Sequence, residues 1–334
     1  MTTSSVIRMQ VPRREDTKTR DLLILGGLFV STILGLAGLS AATGWEETRD
    51  GIARLAGAEI VLLLALSLVN YGFRGLRWHL FARKLGVPTT LRQDLRHFFG
   101  GFAMSATPGR VGELIRMRWL RRETGWSFER TAPLMLADRA SDLVALALIL
   151  VLALALSADG IAGAVPLVFL ALAAAWIATH PALLASIALW SYRATGRFKR
   201  LFARVRGASR SLAVFRSPWL IGFASGLGIV GWLAEGYAFY LLLSWMGADV
   251  GFWTATAVFI FSSLAGGLTG APGGVGGAEA VMIALLSLEG VPLAVSAPAT
   301  LIIRVTTLWF AIGLGLLIFP VAERASLKVR DAQI

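Results

Sequence analysis

A chain of 334 residues that is 56% hydrophobic and only 16% charged, with a mean hydropathy of +0.69, carries too little charge to cover a soluble surface. Its net charge of +12 sits in loops beside apolar runs, where it orients a membrane protein and meets anionic headgroups, a placement that argues against nucleic acid. The chain has no cysteine and only three scattered histidines, His79, His97 and His180, so disulfides and thiolate chemistry are excluded and neither a metal site nor another cofactor is expected.

Several apolar stretches reach the roughly 20 residues that the hydrocarbon core demands of a helix, and strand-like alternation is missing, so the expected class is all-α and polytopic. The start is polar and basic (Arg13, Arg14, Lys18, Arg20) and the first apolar run is too long for a signal-peptide core. Spans are predicted over 21–41 and 52–73, followed by a basic stretch with Arg74, Arg77, Arg83, Lys84, Arg92 and Arg96. An apolar piece over 98–107 is too short to cross and breaks at Pro108-Gly109; a short helix then ends in Arg116, Arg118, Arg121 and Arg122. Spans over 131–157 and 162–190 follow, then a basic amphipathic linker over 193–216 suited to the cytoplasmic membrane face. A span over 218–245 leads to an apolar run from 252 to 288, interrupted at Ala271-Pro272-Gly273-Gly274, and a last span covers 297–319 before a basic tail.

The positive-inside rule places both termini and the Arg-rich loops in the cytoplasm of a bacterial inner membrane, and the segments around Glu46, Asp159, Asp249 and Glu289 outside. For that bias to hold, 98–120 enters and leaves from the cytoplasm and 252–288 from the outside. The expected fold is therefore one membrane domain (1–334) of about six full spans plus two re-entrant broken-helix hairpins, eight or more membrane helical segments in all.

The two breaks are related. Thr107-Pro108-Gly109-Arg110-Val111-Gly112-Glu113 matches Ala271-Pro272-Gly273-Gly274-Val275-Gly276-Gly277-Ala278-Glu279, with Leu85-Gly86 and Met246-Gly247 upstream and Arg139 and Arg304 downstream. Units over 52–157 and 218–319 thus read as inverted-topology repeats, a design typical of alternating-access transporters. The alternative is a pair of glycine-rich packing seams; the recurrence of proline, glycine, glutamate and arginine in register favours the repeat.

Together with Arg77-Trp78-His79, Asp138-Arg139-Ala140-Ser141-Asp142 and Arg304-Val305-Thr306-Thr307-Leu308-Trp309, these motifs resemble the lysylphosphatidylglycerol synthase transmembrane region, a family of flippase-like integral membrane proteins. The resemblance covers about 21–319 and implies a role in flipping lipid. Only a short tail follows the last span, so the soluble aminoacyl-transfer domain of the larger synthases is not expected, nor is lysyl-lipid synthesis.

The expected substrate-binding set is Pro108, Gly109, Arg110, Gly112, Glu113, Asp138, Arg139, Asp142, Pro272, Gly273, Gly274, Gly276, Glu279 and Arg304. Half-helices starting after the breaks either aim free N–H groups and a helix dipole at an anion or form a purely structural bend satisfied by neighbouring helices. Arg110, within the first break, has the fork geometry for phosphate. Glu113 and Glu279 serve either as caps or as partners of Arg139 and Arg304. Asp138 and Asp142 share a helix face, with Arg139 in reach of Asp142, forming either a self-satisfied network or a patch that contacts headgroups or relays protons; Glu235 and Glu59 are further acids inside the membrane. Arg74, Arg77, Arg116 and Arg118 are expected to touch bulk lipid phosphate, and Trp78, Trp119, Trp245, Trp253 and Trp309 to anchor at the interface or pack. The expected function is a non-enzymatic flippase for a lipid or lipid-linked substrate with an anionic or zwitterionic head. The rivals are a membrane partner of a lipid-modifying or cell-envelope enzyme and, less well supported, a headgroup enzyme. Membrane lipids are the expected partners, with a homo-oligomer or a partner enzyme left open.

Overall fold

The computed structural model describes residues 55–105, 112–156, 164–179, 186, 215, 217–269 and 271–332. The predicted first span, the core of the first break (Pro108, Gly109, Arg110), the side chain of Glu113 and all of the 193–216 linker but Phe215 lie outside the described residues. Among the described residues all regular structure is helical. In the first half α1 (Gly57–Leu85), α2 (Leu91–Gly101, extended by a 3₁₀ turn Phe102–Met104), α3 (Gly112–Thr124) and α4 (Phe128–Leu156) follow one another, and α5 is Ala164–Thr179. The second half comprises α6 (Pro218–Trp245), α7 (Phe252–Leu268), a 3₁₀ turn (Pro272–Gly274), α8 (Gly277–Leu288) and α9 (Leu293–Arg304). A π-helical turn, Val305–Trp309, carries α9 into α10 (Phe310–Ala332).

Four described helices are long and apolar enough to cross a membrane: α1, α4, α6 and the continuous α9–α10 rod. Between the long ones lie short pairs, α2 and α3 with 11 and 13 residues and α7 and α8 with 17 and 12. At 1.5 Å per residue each short helix falls below the ~30 Å hydrocarbon thickness. The order long, short, short, long therefore occurs twice. Matching helix ends reinforce it. Gly86 (φ 80°) and Gly247 (φ 82°) close α1 and α6 in the left-handed region that lacks a penalty only for glycine. In both, the glycine N–H returns to the carbonyl three residues back and the next N–H to the one five back: Gly86 to Arg83 and Val87 to Ala82, Gly247 to Ser244 and Ala248 to Leu243.

Three boundaries differ from expectation, the first being that α2 begins at Leu91 rather than at 98. Charge bias ends the second span at 73, yet α1 continues to Leu85 and keeps Arg74 and Arg77 buried in the bundle. The last span, expected over 297–319, is a rod from Leu293 to Ala332 because Glu323 and Ser326 are buried beside α3. There Glu323 accepts from Trp119 Nε1 (2.7 Å), Arg118 Nη2 (2.6 Å) and Arg122 Nη1 (2.5 Å). Arg118 is thus spent on a protein carboxylate rather than on bulk phosphate. Glu123 similarly binds α3 to α2, with Arg96 at 2.5 Å, Gln93 at 3.1 Å and His97 at 3.2 Å. Burial opposes the Glu123 charge, but these donors outweigh it and hold the carboxyl below its ordinary range.

Small residues let the long helices meet. α6 runs along α1 and also packs on α4 and α7. A Cβ on its Gly228 would lie 2.9 Å from Arg77 Nη1, on Gly231 3.2 Å from Asn70 Cα, and on Gly236 2.8 Å from Thr256 Cγ2. Close backbone approach of this kind drives helix association where lipid is as apolar as leucine. Two apolar cores result. One gathers Trp78, Phe98, Met117, Leu120 and Leu134, the other Leu146, Ile149, Phe239, Ile260 and Ile303. Trp78 and Trp119 are packing residues, fully buried, while apolar side chains such as Phe169, Trp219 and Leu317 face outward, as lipid contact requires.

The tightest approach is at Gly315 of α10, where an added Cβ would run into the Ala103 nitrogen and lie 2.6 Å from the Phe102 carbonyl carbon. Backbone cannot step aside as a side chain can. Gly315→Ala is expected to destabilise the protein by about 1–3 kcal/mol, read as a lowered thermal midpoint in detergent, whereas Gly313→Ala, with open space around it, is expected to leave the midpoint near wild type.

Candidate functional site

Between the two apolar cores the bundle carries a layer of charge. Along α4, Leu134 and Ala137 belong to one core and Leu146 to the other, and Asp138 and Asp142 fall between them. Spaced four residues apart they share a face, and α1 presents Arg74 and Arg77 to it. Arg77 is fully buried and forks across both acids, its Nη2 2.6 Å from Asp138 Oδ1 and 2.7 Å from Asp142 Oδ1. The same nitrogen donates to the Asp138 carbonyl at 3.2 Å, and Nε to Asp138 Oδ1 at 3.1 Å. Arg74 Nη2 reaches Asp142 Oδ2 at 2.8 Å, and its guanidinium lies 5.0 Å over the Trp232 ring of α6. Trp232 Nε1 itself donates to Asp142 Oδ1 at 3.3 Å. Arg139 completes the group, 3.4 Å from Asp142 and 3.6 Å from Asp138.

The second half builds a different pair at its break. Glu279 lies in the first turn of α8, and its two oxygens do two jobs. Oε2 accepts from the Gly276 N–H at 2.6 Å, and Oε1 meets Arg304 Nε at 2.5 Å. Cap and ion pair, offered as alternatives by the sequence, are both realised. Arg304 Nη2 also donates to the Gly273 carbonyl at 2.9 Å, so the break is tied to α9. The anion position expected at the Gly276 amide is filled by the chain's own carboxylate. Just beyond Arg304, the π turn widens the backbone ladder, and the Tyr71 hydroxyl of α1 donates to the Thr307 carbonyl. Such turns occur often at functional sites.

These two charged groups border one cavity of about 430 Å³. Its wall includes Tyr71 and Arg74 from α1, Ser105 and Arg116 from the first short pair, Arg139 and Asp142 from α4, Trp232 and Glu235 from α6, Ser263 from α7, and Gly273, Arg304 and Thr307 from the second half. Apolar groups share it, among them Leu143, Leu146, Phe259 and Leu308. Arg116 is buried with its guanidinium 4.4 Å over Phe98 and 5.3 Å over Trp78, so it too is an interior residue rather than a lipid-facing one.

Of the expected site residues, Arg139, Asp142, Gly273 and Arg304 line the cavity, while Asp138 and Glu279 hold residues on the wall. Gly274 and Gly276 shape the break: Gly274 (φ 70°) has its Cβ position 3.0 Å from the Gly266 backbone, while the side chain of Pro272 lies outside the described residues. Gly112 opens α3. Arg139 lies against Asp138 and Asp142, the latter as its spacing predicts, and its expected pairing with Glu113 lies outside the described residues. Glu59, expected as an acid inside the membrane, caps the start of α1 by accepting from the Ala56 N–H at 2.8 Å in an exposed position. Tyr71 and Trp232 were not legible as site residues. Arg74 and Arg77 were visible, and their i,i+3 spacing against the i,i+4 acids was the available signal that two oppositely charged faces meet.

The family model described as the lysylphosphatidylglycerol synthase TM region matches residues 23–315. The chain belongs to this family. A UPF0104 membrane protein of Methanothermobacter thermautotrophicus strain Delta H is 24% identical over 317 residues, covering 88% of this chain and 94% of that protein. A further match of the same description and organism is 29% identical over 121 residues, 35% of each chain. The lysylphosphatidylglycerol synthase TM region match encloses every residue of the cavity wall. The protein is thus a multi-pass membrane protein of a lipid-related family.

Removing Arg77 would leave two buried carboxylates short of their common partner. Arg77→Ala is expected to cost about 3–5 kcal/mol and Arg77→Lys to recover only part of it, because one ammonium cannot fork onto both acids. Thermal unfolding in detergent measures both, with the exposed Arg83→Ala as a control expected to be near neutral.

Proposed function

We propose that this protein is a flippase, moving a lipid or lipid-linked substrate with an anionic or zwitterionic head between leaflets by alternating access. The observation that carries the reading is the charged cavity, set between two apolar cores and walled by residues of both halves. Charge inside a membrane bundle is costly and marks pathways. A phosphate head finds the arginines Arg74, Arg116, Arg139 and Arg304 there, while the acyl tails remain against the apolar exterior.

The alternating-access part of the reading rests on two oppositely inserted repeats, supported by the double long–short–short–long order, the matching glycine caps and the charge bias of the loops. In this arrangement α2–α3 is a hairpin opening to the cytoplasm and α7–α8 one opening outward. Rocking one unit against the other exposes the cavity to each side in turn. A packed accessory protein would gain nothing from a polar cavity of this size. A headgroup enzyme requires a converging acid–base couple, but Asp138, Asp142 and Glu279 are each engaged by arginine.

Two measurements test this. In liposomes holding fluorescent phosphatidylglycerol, phosphatidylethanolamine or a polyprenyl-phosphate sugar, the wild type is expected to equilibrate at least one probe between leaflets. Arg304→Ala and Arg139→Ala are expected to slow that probe about tenfold, the loss of one charge-assisted contact of ~1.4 kcal/mol; transfer of none of the probes favours the accessory role. The chain has no cysteine, so single substitutions report sidedness directly. Arg92→Cys and Ser127→Cys are expected to label only from the cytoplasm, and Asp249→Cys and Ser287→Cys only from the outside. Labelling of all four from one side removes the inverted repeat.

A further inference from the structure

The acids of the two charged groups have dedicated cations. Asp138 and Asp142 share Arg77, Arg74 and Arg139, and Glu279 holds Arg304. Glu235 stands apart. It lies on α6 on the cavity wall, 4% exposed, and among the described residues no arginine or lysine forms an ion pair with it. Arg74, Arg304 and Asp142 act on it through space, and the buried Asn70 of α1 stands nearby, its side-chain amide without a hydrogen bond among the described residues. It is therefore the one wall carboxylate placed between the arginine group of the first half and that of the second.

The charge balance around it gives this position a consequence. With Glu235 ionised, Arg74, Arg77 and Arg139 face three carboxylates (Asp138, Asp142 and Glu235), and Arg304 faces Glu279. Among the described residues these two sets then balance, with Arg116 apart over Phe98 and Trp78, and a phosphate entering beside Glu235 meets a like charge. Protonating Glu235 removes that like charge and makes the wall more positive by one unit, the charge that a singly charged phosphodiester brings back. Like charges sharing a low-dielectric site disfavour simultaneous ionisation, so proton and anion binding there are linked.

We infer that Glu235 is a coupling group, taking up one proton from water as a phosphodiester headgroup enters the cavity and releasing it to water as the headgroup leaves. The inference rests on the flippase reading and adds to it a substrate class, lipids with a single phosphodiester charge, and an energy source, the proton gradient. The groups that share the wall or act on Glu235 are Tyr71, Arg74 and Asn70 from α1, Arg116 from α3, Arg139 and Asp142 from α4, and Arg304 from α9; α7 brings Phe259, Ser263 and Leu264, none of which titrates. The arginines stay charged throughout the physiological range. Asp142, with three guanidinium groups and an indole around it, is committed to its charge. Glu235 is left as the exchangeable site. A purely structural Glu235, permanently ionised to balance Arg74 and Arg304, makes the opposite prediction: its removal changes lipid transfer equally at every pH.

Liposomes with fluorescent phosphatidylglycerol and a trapped pH indicator separate the two roles. For the wild type, transfer is expected to fall about tenfold per pH unit on its alkaline limb, the slope of one proton, and an imposed pH gradient is expected to drive lipid and luminal acidification together. Glu235→Gln is expected to give a rate that no longer varies with pH and moves no protons; Glu235→Asp is expected to retain both responses. The proton measurement on wild type needs no variant, so a misfolded Glu235→Gln does not leave the question open. A wild-type pH profile in Glu235→Gln, or lipid transfer by wild type without proton movement, overturns the coupling while the flippase reading stands. No transfer of phosphatidylglycerol by wild type overturns the coupling for this substrate class, and the flippase reading is then decided by the other lipid probes.

Discussion

Burying a guanidinium away from water costs several kcal/mol unless carboxylates and hydrogen bonds replace the lost hydration. Arg77 carries that cost at the centre of the bundle. Its partners come from α4 and the room for it from Gly228 of α6, so three long helices have to be in register before its charge is tolerable. An ion pair of this kind adds little net stability over an apolar substitute, and its value lies in specifying one arrangement. With α1, α4 and α6 so fixed, Arg74, Trp232 and Glu235 come to face a common space.

The second charged group solves a different difficulty. A helix broken inside the membrane leaves amides and carbonyls that lipid cannot satisfy. At the second break the chain meets this with its own side chains: Glu279 takes the Gly276 amide, Arg304 takes the Gly273 carbonyl, and the two neutralise each other. Tyr71 extends the same provision to the π turn by taking the Thr307 carbonyl. That contact runs from α1 to the far end of α9, joining the halves across the cavity. The cavity wall is consequently tied by ion pairs and hydrogen bonds on both sides, with Glu235 as the wall carboxylate that forms no ion pair among the described residues.

The halves share a plan but not a charge pattern. Where the first unit has Asp138, Arg139 and Asp142, the second has Arg304, Thr306 and Thr307, and the hydroxyls of the latter two return to carbonyls of their own helix. Among the described residues the acids that neutralise Arg74, Arg77 and Arg139 come from α4, whereas the acid that neutralises Arg304 comes from the first turn of α8. The family match over 23–315 spans both charged groups.

Much of this was written in the sequence, because the bilayer imposes simple rules of length and charge. The span over 218–245 coincides with α6, the break at Pro272-Gly273-Gly274 is where α7 and α8 separate, and the Glu279–Arg304 pair was one of two readings of a glutamate beside the break and an arginine well downstream of it, both of which recur in the two halves. Local patterns and nearest-neighbour electrostatics sufficed there. The burial of Arg74 and Arg77 was hidden, since the same rules assign arginines at the end of an apolar run to the cytoplasmic surface. Their partners lie 61–68 positions away, and Trp232 is 90 positions from Asp142. Which charges meet was decided by helices packing through glycine seams, a three-dimensional event that no local pattern encodes.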